Sequence, residues 1–157
     1  MSRRHGFTLL ELMLVVMIGS LMMMVAVPSV GAFLREQKLK ESFEDFDAFT
    51  RKAQSRAVNE SGTFVMIWDK EGISLQPLDP VAADKAGGPE RFSFSEGNRW
   101  TLQRPAALVK KPVWEWPFWR SGACEPVIVS FESPAGSWTA EYNGLTGRGK
   151  IVDMDVK

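Results

Sequence analysis

The apolar pattern divides the first 60 residues into two halves. From Leu12 to Leu34 no charged residue occurs, and a helix of this length suffices to cross a bilayer, whose apolar core takes about 20 residues. Beyond Arg35 the apolar residues recur at steps of three and four, which places them on one helix face. The pattern therefore predicts one long helix, apolar on every side in its first half and amphipathic in its second. The residues of the amphipathic face are Leu39, Phe43, Phe46, Phe49, Ala53 and Ala57.

The rest of the chain has the short alternating runs and turn residues that are typical of strands. Asn59, Ser61 and Gly62 predict the end of the helix, and the prolines and glycines between residues 77 and 90 predict an exposed loop. Three hairpins and a closing strand are expected. The hairpin strands are 63–68 with 73–76, 91–95 with 99–103, and 127–132 with 137–142, and the closing strand is 150–156.

A basic head precedes the apolar run, and one carboxylate lies inside it. The head contains Arg3 and Arg4, and the positive-inside rule places it in the cytoplasm. Glu11 would cost about 2.5 kcal/mol or more if it lay deep in lipid without a partner. No lysine or arginine lies between Phe7 and Leu34. A cation that pairs with Glu11 must then be the chain's own amino terminus or belong to another chain.

Residues 6–11, Gly-Phe-Thr-Leu-Leu-Glu, resemble the processing site of type IV pilins and of the pseudopilins of type II secretion. The resemblance implies that a prepilin peptidase cuts after Gly6 and N-methylates the new terminus, Phe7. It also implies that Glu11 meets the N-terminal amine of a neighbouring subunit during assembly. A proline near position 28 is common in this family, and Pro28 is expected to kink the helix because proline removes a backbone donor.

Two turns near the carboxyl end resemble the closing hairpin and the Gly-Arg turn of H-type minor pseudopilins and FimT/FimU-type minor pilins. The first is Phe131–Gly136, and the second lies within Gly144–Ile151. One residue is extra in the first turn, and Gly149 follows Arg148 in the second. The resemblance implies a type IV pilin-like α+β fold, in which a long N-terminal helix packs on an antiparallel sheet.

The same resemblance implies a domain organisation. Residues 1–6 form a cleaved leader, residues 7–34 a transmembrane and filament-core helix, and residues 35–157 a periplasmic domain in which the helix continues to about residue 60. The implied function is that of a minor pseudopilin of the type II secretion system, a structural subunit of the periplasmic pseudopilus anchored by a single span in the bacterial inner membrane. The implied partners are the other pseudopilins, the prepilin peptidase, the inner-membrane assembly platform and the inner membrane itself.

Four alternatives remain open at this point. A minor pilin of a type IV pilus, in pilus initiation or DNA uptake, would use the same residues. A secretory signal peptide cut after residues 30–32 would place the mature start at Phe33. An uncleaved anchor would explain the apolar run but neither Gly6 nor Glu11. A monomeric membrane-anchored binding protein would not need Glu11.

Composition narrows the chemistry that the chain can perform. Lys and Arg number 19, as do Asp and Glu, so there is no general drive towards nucleic acid. The single histidine, His5, lies in the leader, which removes a Ser-His-Asp triad and most zinc sites from the mature chain. The single cysteine, Cys124, excludes an intramolecular disulfide. We expect no enzymatic activity, no cofactor and no small-molecule substrate.

Two further groups of residues have a structural and a functional interpretation. Residues 113–120 form the densest aromatic cluster, in which Trp114, Trp116 and Trp119 are either core residues or contacts to a partner. Asp153 and Asp155, with Asp84 in the predicted loop, have the oxygen ligands that calcium takes. Because the two C-terminal aspartates alternate along a strand, they are instead expected to face solvent, and no metal site is predicted.

Overall fold

The computed structural model describes residues 8–78, 90–105 and 114–157, with the side chains of residues 25–30 left aside. In these ranges one helix, α1 (Leu9–Asn59), is followed by eight strands in two four-stranded antiparallel sheets. The first sheet has the order β3-β2-β1-β5, and the second has the order β4-β6-β7-β8. The strands are β1 (Phe64–Trp68), β2 (Gly72–Pro77), β3 (Glu90–Ser93), β4 (Arg99–Gln103), β5 (Glu115–Phe118), β6 (Val127–Ser133), β7 (Gly136–Tyr142) and β8 (Gly149–Val156).

Helix α1 has 51 residues, a length of about 77 Å at 1.5 Å per residue. It ends where the stop signals predict, because Ser61 adopts a positive φ of 51° and the Gly62 amide donates to the Ala57 carbonyl at 3.1 Å. This arrangement satisfies a carbonyl that the helix end would otherwise leave unpaired. Within the described ranges, no helical stretch is at once long enough and apolar enough to cross a bilayer.

The amphipathic half of α1 packs on both sheets, as the spacing of its apolar residues predicts. Leu39, Phe46, Ala53 and Ala57 are buried, and Phe43 and Phe49 are partly buried against the same core. Phe46 is fully buried, and its ring centroid lies 5.0–6.3 Å from those of five aromatic side chains. These five come from both sheets: Trp68, Phe92, Trp100, Trp138 and Tyr142. The core is therefore an aromatic cluster centred on one helix residue.

Two of the three predicted hairpins are confirmed. Strands β1 and β2 pair antiparallel around the turn that begins at Asp69, and β6 pairs with β7 around a two-residue turn that closes at Ser133 and Gly136. Gly136 has a φ of 142°, and a Cβ there would lie 2.1 Å from the Asp155 carbonyl oxygen. Only glycine fits this close approach of β7 to β8. The closing strand is confirmed as β8, which pairs with β7.

The predicted hairpin of residues 91–95 with 99–103 is wrong. Phe92 in β3 pairs with Ile73 of the first sheet, whereas Trp100 in β4 pairs with Phe131 of the second. Between the two strands, Gly97 adopts a φ of 82° in a turn that crosses from one sheet to the other. The crossing brings the Phe92 and Trp100 rings together edge to face at 5.4 Å beneath the helix. Pairing the two strands with different sheets lets both rings pack against Phe46 of α1, which a local hairpin within one sheet need not provide.

Candidate assembly surfaces

The amino-terminal end of α1 is capped by Thr8 and has its acidic residue in the first turn. Thr8 has extended backbone dihedrals, its hydroxyl oxygen accepts from the Glu11 amide at 3.3 Å, and its carbonyl accepts from the Leu12 amide at 3.2 Å. A threonine cap followed three residues later by glutamate is a known helix-start pattern. A carboxylate in the first turn also interacts favourably with the helix dipole. Thr8 and Glu11 therefore fix where the helix begins.

Glu11 is exposed and surrounded by apolar side chains. On the described turns of α1 around it, from Leu9 to Met24, the large apolar residues keep 46% to 80% of their surface accessible. They occur on every side of the helix, from Leu9 to Met24. Among the described residues, Glu11 has no side-chain partner. This segment thus presents a carboxylate within an apolar surface that the chain itself does not cover.

For three of the predicted site residues, the structure describes only the backbone or nothing at all. Gly6 and Phe7 lie outside the described residues, so the cleavage and methylation sites stay predictions. Pro28 lies inside the continuous helix α1, but its side chain is outside the described set. The predicted kink at Pro28 stays a prediction.

The three tryptophans of residues 114–119 do not form one surface. Strand β5 buries one of them and leaves the other two exposed at its ends. Trp116 is fully buried, and its indole N–H donates to the Glu125 carbonyl at 2.8 Å. Trp116 is therefore a core residue rather than an exposed one, because its position on β5 faces the buried core beside Trp68 and Tyr142. Trp114 and Trp119 are 61% and 40% exposed. They lie at opposite ends of β5, about 16 Å apart along an extended chain.

The acidic residues considered for calcium are not gathered at one place. Asp153 and Asp155 are exposed on β8, where they pair in register with Thr139 and Ser137 of β7. Asp84 lies outside the described residues. Within the described ranges, no three acidic, histidine or cysteine side chains converge as metal ligands.

Two turns contact the carboxyl half of α1 through one side chain, Gln54. Its amide nitrogen donates to the Gly122 carbonyl at 2.6 Å and to the Thr146 carbonyl at 3.1 Å. Gly122 lies in the turn after β5, and Thr146 lies in the turn between β7 and β8. In the second turn the Asn143 side-chain oxygen accepts from the backbone amides of Leu145 and Thr146. Gln54 thus holds both turns against the helix.

Cys124 is a buried thiol beside these turns. It is 3% exposed, and its Sγ lies 3.8 Å from the Asn143 carbonyl oxygen. Burial raises the pKa of the Cys124 thiol from 9.0 to about 11. Since the thiolate is the reactive form, this cysteine is a core residue with low reactivity.

We expect Cys124 to react slowly with iodoacetamide at pH 8 in the folded protein. A pKa raised by this amount leaves roughly 100-fold less thiolate than an unperturbed thiol, and burial restricts access further. Mass spectrometry of the alkylated protein, with and without concentrated urea, measures the difference. Leu145→Cys in a Cys124→Ala background provides an exposed control that should react quickly in both conditions. Equal rates for native and unfolded Cys124 would contradict the burial described above.

Residues 1–27 match the prokaryotic N-terminal methylation motif. This motif confirms the resemblance of the amino-terminal segment that the sequence predicted. A solved structure of the minor pseudopilin EpsH from the type 2 secretion system of Vibrio cholerae is similar over 75% of this chain and 96% of its own, with 16% identity and a TM-score of 0.49. At those values the likeness carries no argument about function. No curated relative matches the sequence.

Sequence reasoning did not identify three of the residues that define these surfaces. Thr8 could have been found from its spacing to Glu11, which is a capping-box pattern. Gln54 gives no such signal, because its partners are backbone carbonyls of turns that lie 68 and 92 residues away in the sequence. Leu145 is 83% exposed. It is a single apolar residue within a polar turn, so no repeating pattern of apolar residues marks it in the sequence.

Proposed function

We propose that this protein is a minor pseudopilin of the type II secretion system, a structural and non-enzymatic subunit of a short periplasmic filament. The observation that carries the proposal is the N-terminal methylation motif, which spans residues 1–27. In this proposal a prepilin peptidase cuts after Gly6 and methylates Phe7. The mature chain is stored in the inner membrane with residues 35–157 in the periplasm.

The contacts of α1 support a division of labour between its two halves. The first half presents apolar side chains on every side and one carboxylate, Glu11. The second half is covered by both sheets from Leu39 to Ala57. A helix that is apolar on all sides needs lipid or other apolar helices around it. We propose that the first half passes from the membrane into the filament core, where Glu11 pairs with the amine of a neighbouring Phe7.

The experiment that tests the proposal is mass spectrometry of the protein purified from membranes. We expect a mature chain that begins at Phe7 and carries one N-methyl group. Cells that make Gly6→Ala should accumulate the uncut protein. A peptidase that requires glycine at this position approaches the backbone closely and leaves no room for a side chain.

Ser2→Ala is the matched control, since it alters the same leader away from the junction and should leave processing unchanged. A mature start at Phe33 would contradict the proposal and favour a secretory signal peptide. An intact Met1 start with no methylation would favour an uncleaved anchor. No observation on the described residues favours a minor pilin of a type IV pilus over a pseudopilin.

A further inference from the structure

The end of the folded domain where α1 stops carries exposed apolar side chains beside arginines. Val58 on the last turn of α1, Trp119 after β5 and Leu145 between β7 and β8 are 47%, 40% and 83% exposed. Arg120 and Arg148 adjoin them in the sequence and are exposed. We call these five residues the distal surface.

Hydrogen bonds and close packing hold the three elements of the distal surface together. Gln54 hydrogen-bonds to both turns, as described above, and the Cys124 amide donates to the Gly144 carbonyl at 2.7 Å. A Cβ on Gly122 would lie 3.2 Å from a methyl group of Val58. The helix end and the two turns are therefore in contact, and their exposed side chains lie at the same end of the domain.

A groove of about 610 Å³ runs between the helix end and the turn that contains Thr146. Arg51 and Val58 line it on the helix side, and Thr146 and Arg148 line it on the turn side. It is open to solvent, and its lining is polar apart from Val58, with Arg51 and Arg148 as its cations. A groove with two arginines favours a segment that carries acidic side chains.

The cations of the distal surface are not neutralised within the described chain. Arg120 and Arg148 have no side-chain ion pair among the described residues. Arg51, which lines the groove but is not part of the distal surface, is paired with Asp47 at 3.4 Å. On the helix end, Glu60 is paired with Arg56 at 2.7 Å. The surface thus has a surplus of positive charge.

The geometry points to the distal surface as a docking site for an acidic, apolar-bearing segment of another protein subunit. Tryptophan and arginine are the side chains that protein interfaces favour. In the docked state, carboxylates of the partner would face Arg120 and Arg148, and an apolar side chain would lie against Val58, Trp119 and Leu145. A duplex nucleic acid fits less well, because a phosphate backbone calls for a larger number of cations. The inference rests on the proposed function for the source of the partner, which is a neighbouring subunit.

The test uses the full-length protein in cells that make the other subunits of its filament. A photoreactive residue is introduced as Leu145→p-benzoylphenylalanine, and the crosslinked peptide is identified by mass spectrometry. We expect a crosslink to another subunit within a segment that contains aspartate or glutamate. Adding Arg148→Glu should lower the yield by about tenfold or more, because it places like charges opposite each other. Arg148→Gln, which keeps the polarity, should lower it less.

Lys70→Glu is the matched control, since Lys70 is exposed in the turn between β1 and β2, outside the distal surface, has no ion pair among the described residues, and undergoes the same change of charge. It should leave the crosslink unchanged. A lysine in place of the crosslinked carboxylate should restore the yield in the Arg148→Glu variant. Rescue of this kind requires a direct charge contact, which an unfolded variant would not give.

Three results would overturn the inference. They are the absence of a subunit crosslink, a crosslinked segment without acidic residues, and a yield that Arg148→Glu does not change. Binding of a 20-base-pair DNA duplex to the detergent-purified protein, lost in Arg148→Glu, would also overturn it in favour of nucleic acid. The proposed function fails separately, through a mature start other than Phe7, and that failure leaves the charge dependence of the crosslink unaffected.

Discussion

Phe46→Ala is expected to destabilise the folded domain by about 3–5 kcal/mol, the range for a fully buried phenylalanine. The ring is completely inaccessible and contacts aromatic side chains of both sheets. Its removal leaves a cavity where α1 meets both sheets. Since a domain of this size is stable by only about 5–15 kcal/mol, the variant should be largely unfolded under mild denaturing conditions.

Urea denaturation of a fragment of residues 35–157 measures this effect, because the buried core lies between Leu39 and Tyr142. Phe49→Ala is the matched control. Phe49 is one turn further along α1 and only partly buried, with a ring contact to Phe92 at 5.6 Å. We expect a smaller loss from Phe49→Ala. A loss below roughly 1 kcal/mol for Phe46→Ala would contradict the central position of this ring.

Under the proposed function, Glu11→Ala is expected to leave processing and membrane insertion intact and to abolish most incorporation into the filament. Removing a lone charge from lipid is favourable or harmless. Removing one member of a buried ion pair costs about 3–5 kcal/mol, because the other charge stays buried without a partner. The two interpretations of Glu11 therefore predict opposite outcomes for the same variant.

Co-purification of the variant with its partner subunits, alongside secretion by the cell, provides the measurement. Glu36→Ala is the matched control on the same helix, since Glu36 forms an exposed pair with Lys40 at 2.7 Å and lies beyond the apolar run. It should assemble normally. Glu11→Asp should be impaired less than Glu11→Ala, because it keeps the charge. If Glu11→Ala is incorporated normally, Glu11 has no role in assembly.

The periodicity of apolar residues was sufficient to predict α1 and its buried face. Each residue from Leu39 to Ala57 on that face needed only a regular helix and something apolar to cover it. Local turn chemistry was sufficient for the hairpins at Asp69 and at Ser133–Gly136. These features depend on residues that are close together in the sequence, so they can be predicted from the sequence alone.

The features that were missed depend on contacts between distant parts of the chain. Alternation along β3 and β4 shows which side chains face inward, but not that Phe92 and Trp100 belong to different sheets. Strand β5 contains Pro117, which argues against a central strand, yet β5 lies at the edge of its sheet, where proline is tolerated. The docking of two turns on Gln54 is likewise a result of the tertiary fold.

The exchange of strands between the sheets has a consequence for how the domain folds. The first sheet takes β1, β2, β3 and β5, while the second takes β4 and β6 to β8. Neither sheet is therefore a continuous segment of the polypeptide. The first sheet cannot be completed before β5 has been synthesised, by which point β4 still lacks its partner β6. Because pairing between distant segments slows folding, we expect the two sheets to be completed together, after β4 and β5 have found their partners.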